Sequence, residues 1–229
     1  MKLAVYALVL LTASAASAQL STPPEGDYVI NDGAWGVLSV EPRGKFRLET
    51  TGANAHICGL DGVIVNGKSK IDNSACQLSF KAQGPDFQVT TNGSDACQDF
   101  CGARAWFEGL YRKPPPLCEF KNMEASRKKF KKEYQAKNYT IALAVLNPVA
   151  TQCKPFLHWV DSAWVLNDLA LTQFKLGDRA GCIQTLKDLA KDAAMSDEEV
   201  TGNYPPADSD MYLPAVRATR TNLKLCTKK

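Results

Sequence analysis

The hydrophobic pattern changes its period near the middle of the chain. From Asp27 to Leu110, short apolar runs are separated by turn-forming residues such as Asn66-Gly67 and Asn92-Gly93. Asn-Gly pairs tolerate the positive φ of tight hairpin turns, and alternating runs bury one face of a strand. We predict eight short strands, whose number and spacing favour an antiparallel β sandwich or small barrel. The predicted strands are Tyr28–Ile30, Trp35–Val40, Phe46–Glu49, His56–Cys58, Gly62–Val65, Gln77–Phe80, Phe87–Thr90 and Ala105–Phe107.

A helical pattern follows a stiff connector of three prolines, Pro114 to Pro116. Apolar residues then recur three or four positions apart, which predicts four amphipathic helices and a fifth over Met211–Leu225. The four stripes are Phe130 and Tyr134; Ile141, Val145 and Val149; Trp159, Ala163, Leu166 and Ala170; and Ile183, Leu186 and Leu189. The predicted fold class is therefore α+β, with a β domain in residues 19–113 and an all-α domain in residues 114–229.

The helical half repeats itself after a shift of 40 residues. The aligned pairs are Tyr134 and Phe174, Asn138 and Asp178, Ala142 and Cys182, Leu146 and Leu186, and Val149 and Leu189. Each copy predicts a helix, a tight turn and a second helix with a small residue where the helices cross.

Residues 122–192 therefore resemble tetratricopeptide repeats, most clearly at Leu169-Ala170 and Gly177-Asp178. Two features depart from that family: the period exceeds its usual length of about 34 residues, and Arg179 stands where the family has a tyrosine. The resemblance implies stacked helical hairpins that serve as a docking surface for another protein.

The first 18 residues predict a removable signal peptide. Lys2 precedes an apolar core from Leu3 to Leu11, and Ala16-Ser17-Ala18 is a small-x-small cleavage site. A membrane anchor is the alternative, but a spanning helix needs about 20 apolar residues. We expect an exported protein without stable membrane insertion. The alanine-rich leader and the lack of glycine-rich extracellular repeats favour the Gram-negative periplasm.

Eight cysteines lie beyond the leader, and export would allow them to form disulfides. Zinc is the alternative, but it needs close Cys or His pairs; neither C-x-x-C nor His-x-His occurs, and Cys97-x-x-x-Cys101 is the only close pair. In antiparallel helical hairpins, Cys118 would face Cys153 and Cys182 would face Cys226. Two bonds would then join Cys58, Cys76, Cys97 and Cys101, in any of three connectivities. This half resembles the small disulfide-bonded β domains of exported bacterial proteins.

No motif in the sequence predicts catalysis. The two histidines, His56 and His158, have no free thiol partner if the cysteines are oxidised, and neither G-x-S-x-G nor H-E-x-x-H occurs. Asp95-x-x-x-Asp99 and Asp208-x-Asp210 lack the pattern of an EF-hand loop. We therefore expect no enzyme, no cofactor and no metal. The formal net charge of +3 also argues against a nucleic-acid partner.

Two kinds of surface are candidates for binding a partner. Lys128, Lys131 and Lys132 share one face of the first helix, where a solvated face with a Glu124–Lys128 pair is the alternative. The second kind is aromatic and consists of Trp106 and Tyr111 in the β half and Tyr204 and Tyr212 in a predicted polar loop, Gly202–Leu213.

These observations predict a non-enzymatic periplasmic protein that binds another protein. The sharpest form of this hypothesis is an inhibitor or immunity protein that neutralises a toxin or a cell-wall hydrolase. One alternative is an envelope scaffold or assembly factor that uses the helical domain. Another is a protein that binds or cleaves glycans through acids and aromatic residues of the β domain.

Overall fold

The structure is a computed structural model that describes residues 22–228. The predicted signal peptide, residues 1–18, lies outside the described residues. Eight strands are followed by seven α-helices in the described part of the chain. The strands are β1 Gly26–Asp32, β2 Ala34–Val40, β3 Lys45–Thr51, β4 Ile57–Val63, β5 Lys68–Lys70, β6 Gln77–Gln83, β7 Asp86–Thr91 and β8 Gly109–Tyr111. The helices are α1 Phe120–Gln135, α2 Tyr139–Gln152, α3 Trp159–Lys175, α4 Arg179–Thr185, α5 Ala190–Ala193, α6 Asp197–Asn203 and α7 Pro206–Thr227.

The strands form two antiparallel sheets, β1-β2-β3-β4 and β5-β6-β7-β8, in which neighbours in sequence are also neighbours in space. Leu38, Leu48 and Leu60 lie opposite one another across the first sheet, and all three are buried. The sheets face each other across one core, where the rings of Phe46 and Phe80 lie 5.3 Å apart. The predicted class, antiparallel β structure followed by helices, is confirmed.

Three strand predictions differ from the structure. His56–Cys58 and Gly62–Val65 are not separate strands, because β4 pairs with β3 without a break from Ile57 to Val63. Gly59 and Asp61, which lie between the two predicted strands, occupy solvent-exposed positions of β4. β5 was not predicted, since it has two lysines and no apolar residue. Ala105–Phe107 alternates in burial but does not pair with a neighbouring strand, and the pairing residues lie further on, in β8.

The helical half consists of two helical hairpins closed by α7. Lys137 in the first hairpin loop and Gly177 in the second have φ of 62° and 83°, so the same left-handed turn recurs after 40 residues. The prediction of a long loop over Gly202–Leu213 is wrong. Most of this segment is helical, because α6 ends at Asn203 and α7 begins at Pro206. Proline is favoured in the first turn of a helix, where its missing N–H costs nothing.

Four disulfides cross-link the chain: Cys58–Cys101, Cys76–Cys97, Cys118–Cys153 and Cys182–Cys226. The last two are the pairs that the antiparallel hairpins predict. Cys118–Cys153 joins the start of α1 to the end of α2, and Cys182–Cys226 joins α4 to the end of α7. None of the helices described between residues 22 and 228 is both long and hydrophobic enough to cross a bilayer.

The β half packs against the helical half through β1 and β2. Val29, Trp35 and Val37 contact the apolar cluster of α1, α2 and α3. Trp35 Nε1 donates a hydrogen bond to the Phe156 carbonyl at 3.1 Å, and Asn31 Nδ2 donates one to the Leu157 carbonyl at 3.1 Å. These contacts position the site described next.

Candidate functional site

A cleft of about 350 Å³ lies where the first sheet meets the helical half. Both halves contribute side chains to it. The polar and aromatic residues that line it are Asn31, Trp35, His158, Trp159, Tyr204 and Asp208. This volume is within the lower range of small-molecule pockets. We refer to it as the inter-half cleft.

Aromatic rings form the helical wall of the inter-half cleft. The Trp159 and Tyr204 rings are parallel within 11°, with centroids 5.6 Å apart, and Tyr212 lies 4.6 Å from Trp159. The hydroxyls of Tyr204 and Tyr212 both donate to Asp192 Oδ2, at 2.8 and 2.9 Å. Burial and the neighbouring Asp192 carboxylate raise the pKa of Tyr204 to about 12 and also raise the pKa of Tyr212. Both hydroxyls therefore remain protonated donors at neutral pH.

Asp208 provides a carboxylate at the base of the cleft, where the residue is 8% exposed. Its Oδ2 accepts a hydrogen bond from the Asn54 backbone N–H at 2.9 Å. In return, Asn54 Oδ1 accepts one from the Ala207 N–H at 3.0 Å. Asn54 has a φ of 60°, a left-handed conformation that asparagine adopts more readily than most residues. This reciprocal pair connects the loop after β3 to the first turn of α7.

His158 lies beside Trp35, with ring centroids 5.8 Å apart. Burial lowers the pKa of His158, although the charges of Asp161 and Asp208 act in the opposite direction, so the imidazole is neutral at neutral pH. Among the described residues, none forms a hydrogen bond with the His158 ring, Asp208 Oδ1 or Asn31 Oδ1. The cleft therefore combines aromatic surface with polar atoms that are available to a ligand.

A second concave surface, the helical groove, lies between α3 and α7. Its floor is the face of α3 that carries Trp164, Asp168 and Leu171, and a hollow of about 370 Å³ separates these residues from Arg217 on α7. On the α1 side, Arg127 forms an ion pair with Asp161 at 3.3 Å.

The helical groove carries charges of both signs. Burial raises the pKa of Asp168, while the nearby charges of Arg127 and Lys131 act in the opposite direction. Arg217 on the opposite wall binds Asp197. A partner would therefore meet Trp164 beside charged side chains, and tryptophan and arginine are typical of protein-binding surfaces.

The predicted lysines do not all contribute to one surface. Lys131 is close enough to the helical groove for its charge to act on Asp168. Lys128 pairs with Glu124 at 2.7 Å, as the alternative of a solvated face predicts, and Lys132 is exposed. The basic cluster is thus divided between the groove and the outer face of α1.

The predicted aromatic residues also separate into two groups. Tyr204 lines the inter-half cleft, and Trp106, which is 42% exposed, packs beside Gly33 at the edge of the cleft. The structure corrects the prediction of a surface role for two tyrosines. Tyr111 is 0% exposed and donates to the Phe107 carbonyl at 2.8 Å, while Tyr212 is 3% exposed and supports Trp159 from behind.

Sequence reasoning did not identify Trp35, Trp159 or Asp208 as residues of a site. The adjacent His158 and Trp159 at the start of a predicted helix are the one local feature of the sequence that could have indicated this site. Asp208 was assigned to a polar loop, where an acid is unremarkable. The chain separation between Asn54 and Asp208 is 154 residues, so their contact has no local signature.

Comparisons of the chain with protein-family models, with curated proteins and with solved structures give no match. Function therefore has to be inferred from the inter-half cleft and the helical groove. Within residues 22–228, no group of three or more His, Cys, Asp or Glu side chains is arranged to hold a metal ion.

Proposed function

We propose that this protein is a non-enzymatic binding protein of the bacterial periplasm, exported by a signal peptide in residues 1–18. In this proposal it is an inhibitor or immunity protein that neutralises a toxin or a cell-wall hydrolase. The observation that carries the proposal is the helical groove, with Trp164 on its floor, Arg217 on one wall, and the charges of Arg127 and Lys131 acting on Asp168.

The groove supports docking of a protein for two reasons. Tryptophan and arginine are the residues that most often contribute the binding energy of protein interfaces. The second reason is rigidity. In this proposal the hairpins are tetratricopeptide-like, and two disulfides, Cys118–Cys153 and Cys182–Cys226, brace them. A surface that is held rigid before binding loses less conformational entropy when a partner docks.

The oxidised cysteines support a binding role over thiol catalysis. All eight are in disulfides, so His56 and His158 have no thiolate to activate. The same disulfides favour an oxidising compartment, in agreement with the proposed export.

The test measures inhibition by the intact, disulfide-bonded protein. A panel of purified toxins and cell-wall hydrolases from the same envelope, including a muramidase, an amidase and an endopeptidase, is titrated with the protein. We expect stoichiometric inhibition of one of them. Trp164→Ala should weaken that inhibition at least about tenfold. Trp159→Ala is the matched control, because it removes a tryptophan of the same helix that lies in the cleft and not in the groove.

Two results would contradict this proposal. One is that no member of the panel is bound or inhibited. The other is inhibition that Trp164→Ala does not change although the variant folds normally. Weak binding of several envelope proteins through the groove, with no inhibition, would instead support the envelope scaffold. Glycan binding is a second candidate function, which the inter-half cleft favours.

A further inference from the structure

We propose that the inter-half cleft binds a neutral hexopyranose unit of a glycan, and that this site is independent of the helical groove. The proposal develops the second candidate function, and it places the site between the two halves and not within the β half alone. Three features of the cleft carry it: its aromatic wall, its unpaired polar atoms and the sign of its charge.

The aromatic wall matches the apolar face of a sugar ring. Pyranose rings present C–H groups on one face, and these pack favourably on the negative face of an aromatic ring. Trp159 is 38% exposed, and Trp35 and Tyr204 are half-buried in the same cleft. Asp192 holds Tyr204 in place through its hydroxyl, so this wall is formed before a ligand arrives.

The unpaired polar atoms match the hydroxyl groups of a sugar. Asp208 is more than nine-tenths buried, and its Oδ1 has no hydrogen bond within residues 22–228. This oxygen is accessible to solvent in the cleft, so the O–H group of a ligand can donate to it in place of water. Asn31 Oδ1 offers a second acceptor. The neutral His158 imidazole offers one nitrogen that donates and one that accepts.

The charge of the cleft selects against anionic ligands. Neither Lys nor Arg is among the residues that line it, and the Asp208 carboxylate would repel an anion. A quaternary ammonium ion is the other usual guest of aromatic side chains. That ion has no N–H or O–H group, so it would leave the oxygens of Asp208 and Asn31 without a hydrogen bond. A neutral polyhydroxyl ring satisfies both requirements.

Trp106 extends the site beyond one sugar unit. A Cβ atom added to Gly33, which lines the cleft, would lie 2.5 Å from Trp106 Cζ2, so the indole packs directly at the edge. A second unit of a glycan chain that leaves the cleft on this side would meet the exposed indole. Affinity should therefore increase from a monosaccharide to a trisaccharide, and this increase should depend on Trp106.

The test is calorimetric titration of the intact, disulfide-bonded protein with N,N′,N″-triacetylchitotriose and with maltotriose. These probes share the neutral hexopyranose ring, but one represents N-acetylglucosamine-based glycans and the other represents glucose-based glycans. The comparison therefore identifies which class of glycan supplies the bound ring. We expect saturable binding of one or both, and no binding of choline. Trp159→Ala and Asp208→Asn should each raise the Kd at least about tenfold. Trp164→Ala, on the same helix but in the groove, should leave the Kd unchanged.

Asp208→Asn keeps the proposal testable if Trp159→Ala does not fold, because asparagine has the same shape and can still accept the Asn54 N–H. Folding of each variant is checked by thermal unfolding. Absence of sugar binding, binding of choline in place of sugars, or sugar binding that neither variant weakens would overturn the proposal. Loss of sugar binding in Trp164→Ala would also overturn it, by showing that the site is the groove.

Discussion

Two buried or half-buried carboxylates organise the inter-half cleft. Asp192 accepts hydrogen bonds from Tyr204 and Tyr212 and so holds the aromatic wall. Asp208 accepts the Asn54 N–H and so holds the loop after β3 against α7. Both acids lie far along the chain from Trp35 and Asn31, on the opposite wall. Single polar side chains therefore determine the shape of a surface that both halves share.

Removal of the Asp192 carboxylate should destabilise the protein measurably. Asp192→Ala leaves two tyrosine hydroxyls without their acceptor, and Tyr212 is buried. We expect the free energy of unfolding to fall by about 1–3 kcal/mol in urea unfolding followed by tryptophan fluorescence. The control is Asp188→Ala, which removes an exposed ion pair with Lys154 and should change stability by less than about 1 kcal/mol. Equal effects of the two substitutions would contradict this role of Asp192.

A buried polar network joins α3 to α7. Asn167 Nδ2 donates to Thr219 Oγ1, and Asn222 Nδ2 donates to Asn167 Oδ1, both at 2.9 Å. All three residues are buried. Buried polar groups that satisfy one another specify a single arrangement of the helices that carry them. The network thus aligns α3, the floor of the helical groove, with α7, one of its walls.

Asn167→Ala should therefore disturb the packing of these two helices. The substitution removes the side-chain partner that Thr219 and Asn222 share, leaves each with one backbone acceptor, and creates a small cavity. We expect a loss of about 1–3 kcal/mol in the free energy of unfolding. Asn147→Ala is the matched control, because Asn147 is exposed on α2. It should change stability by about 0.5 kcal/mol or less. A similar urea midpoint for both variants would show that the network contributes little.

The whole protein is cross-linked within each half but not between the halves. Two disulfides lie between residues 58 and 101, and two lie between residues 118 and 226. The contact between the halves consists of apolar packing at Val29 and Trp35, together with hydrogen bonds from Asn31, Trp35 and Asn54. The inter-half cleft therefore depends on non-covalent contacts, whereas each of its walls is covalently braced.

Thiol titration and peptide mapping test this cross-linking. The native protein should react with no equivalent of a thiol reagent, and with eight equivalents after denaturation and reduction. A non-reducing map should give four pairs, including Cys58–Cys101 and Cys76–Cys97. Replacing Cys118 and Cys153 together by alanine should lower the free energy of unfolding by about 3–4 kcal/mol. A peptide that joins Cys58 to Cys226 would contradict the arrangement.

Local sequence patterns were sufficient for much of the architecture. The period of the apolar residues distinguishes strands from helices because it records which side of an element is buried. Asn138 and Asp178 mark the two hairpin turns, and the hairpins in turn bring Cys118 close to Cys153. Where the pattern was ambiguous, the predictions were wrong: β5 has no apolar residue, and Pro206 begins α7 within a stretch rich in turn-forming residues.

The candidate sites required the tertiary structure. Periodicity shows that a face is apolar, but it does not show which element covers that face. Tyr111 and Tyr212 were therefore expected at the surface and are instead buried. Trp35 and Phe156 are 121 residues apart in the chain, and Asn54 and Asp208 are 154 apart. Such contacts arise from the packing of whole elements, so their residues carry no local signal of the cleft that they form.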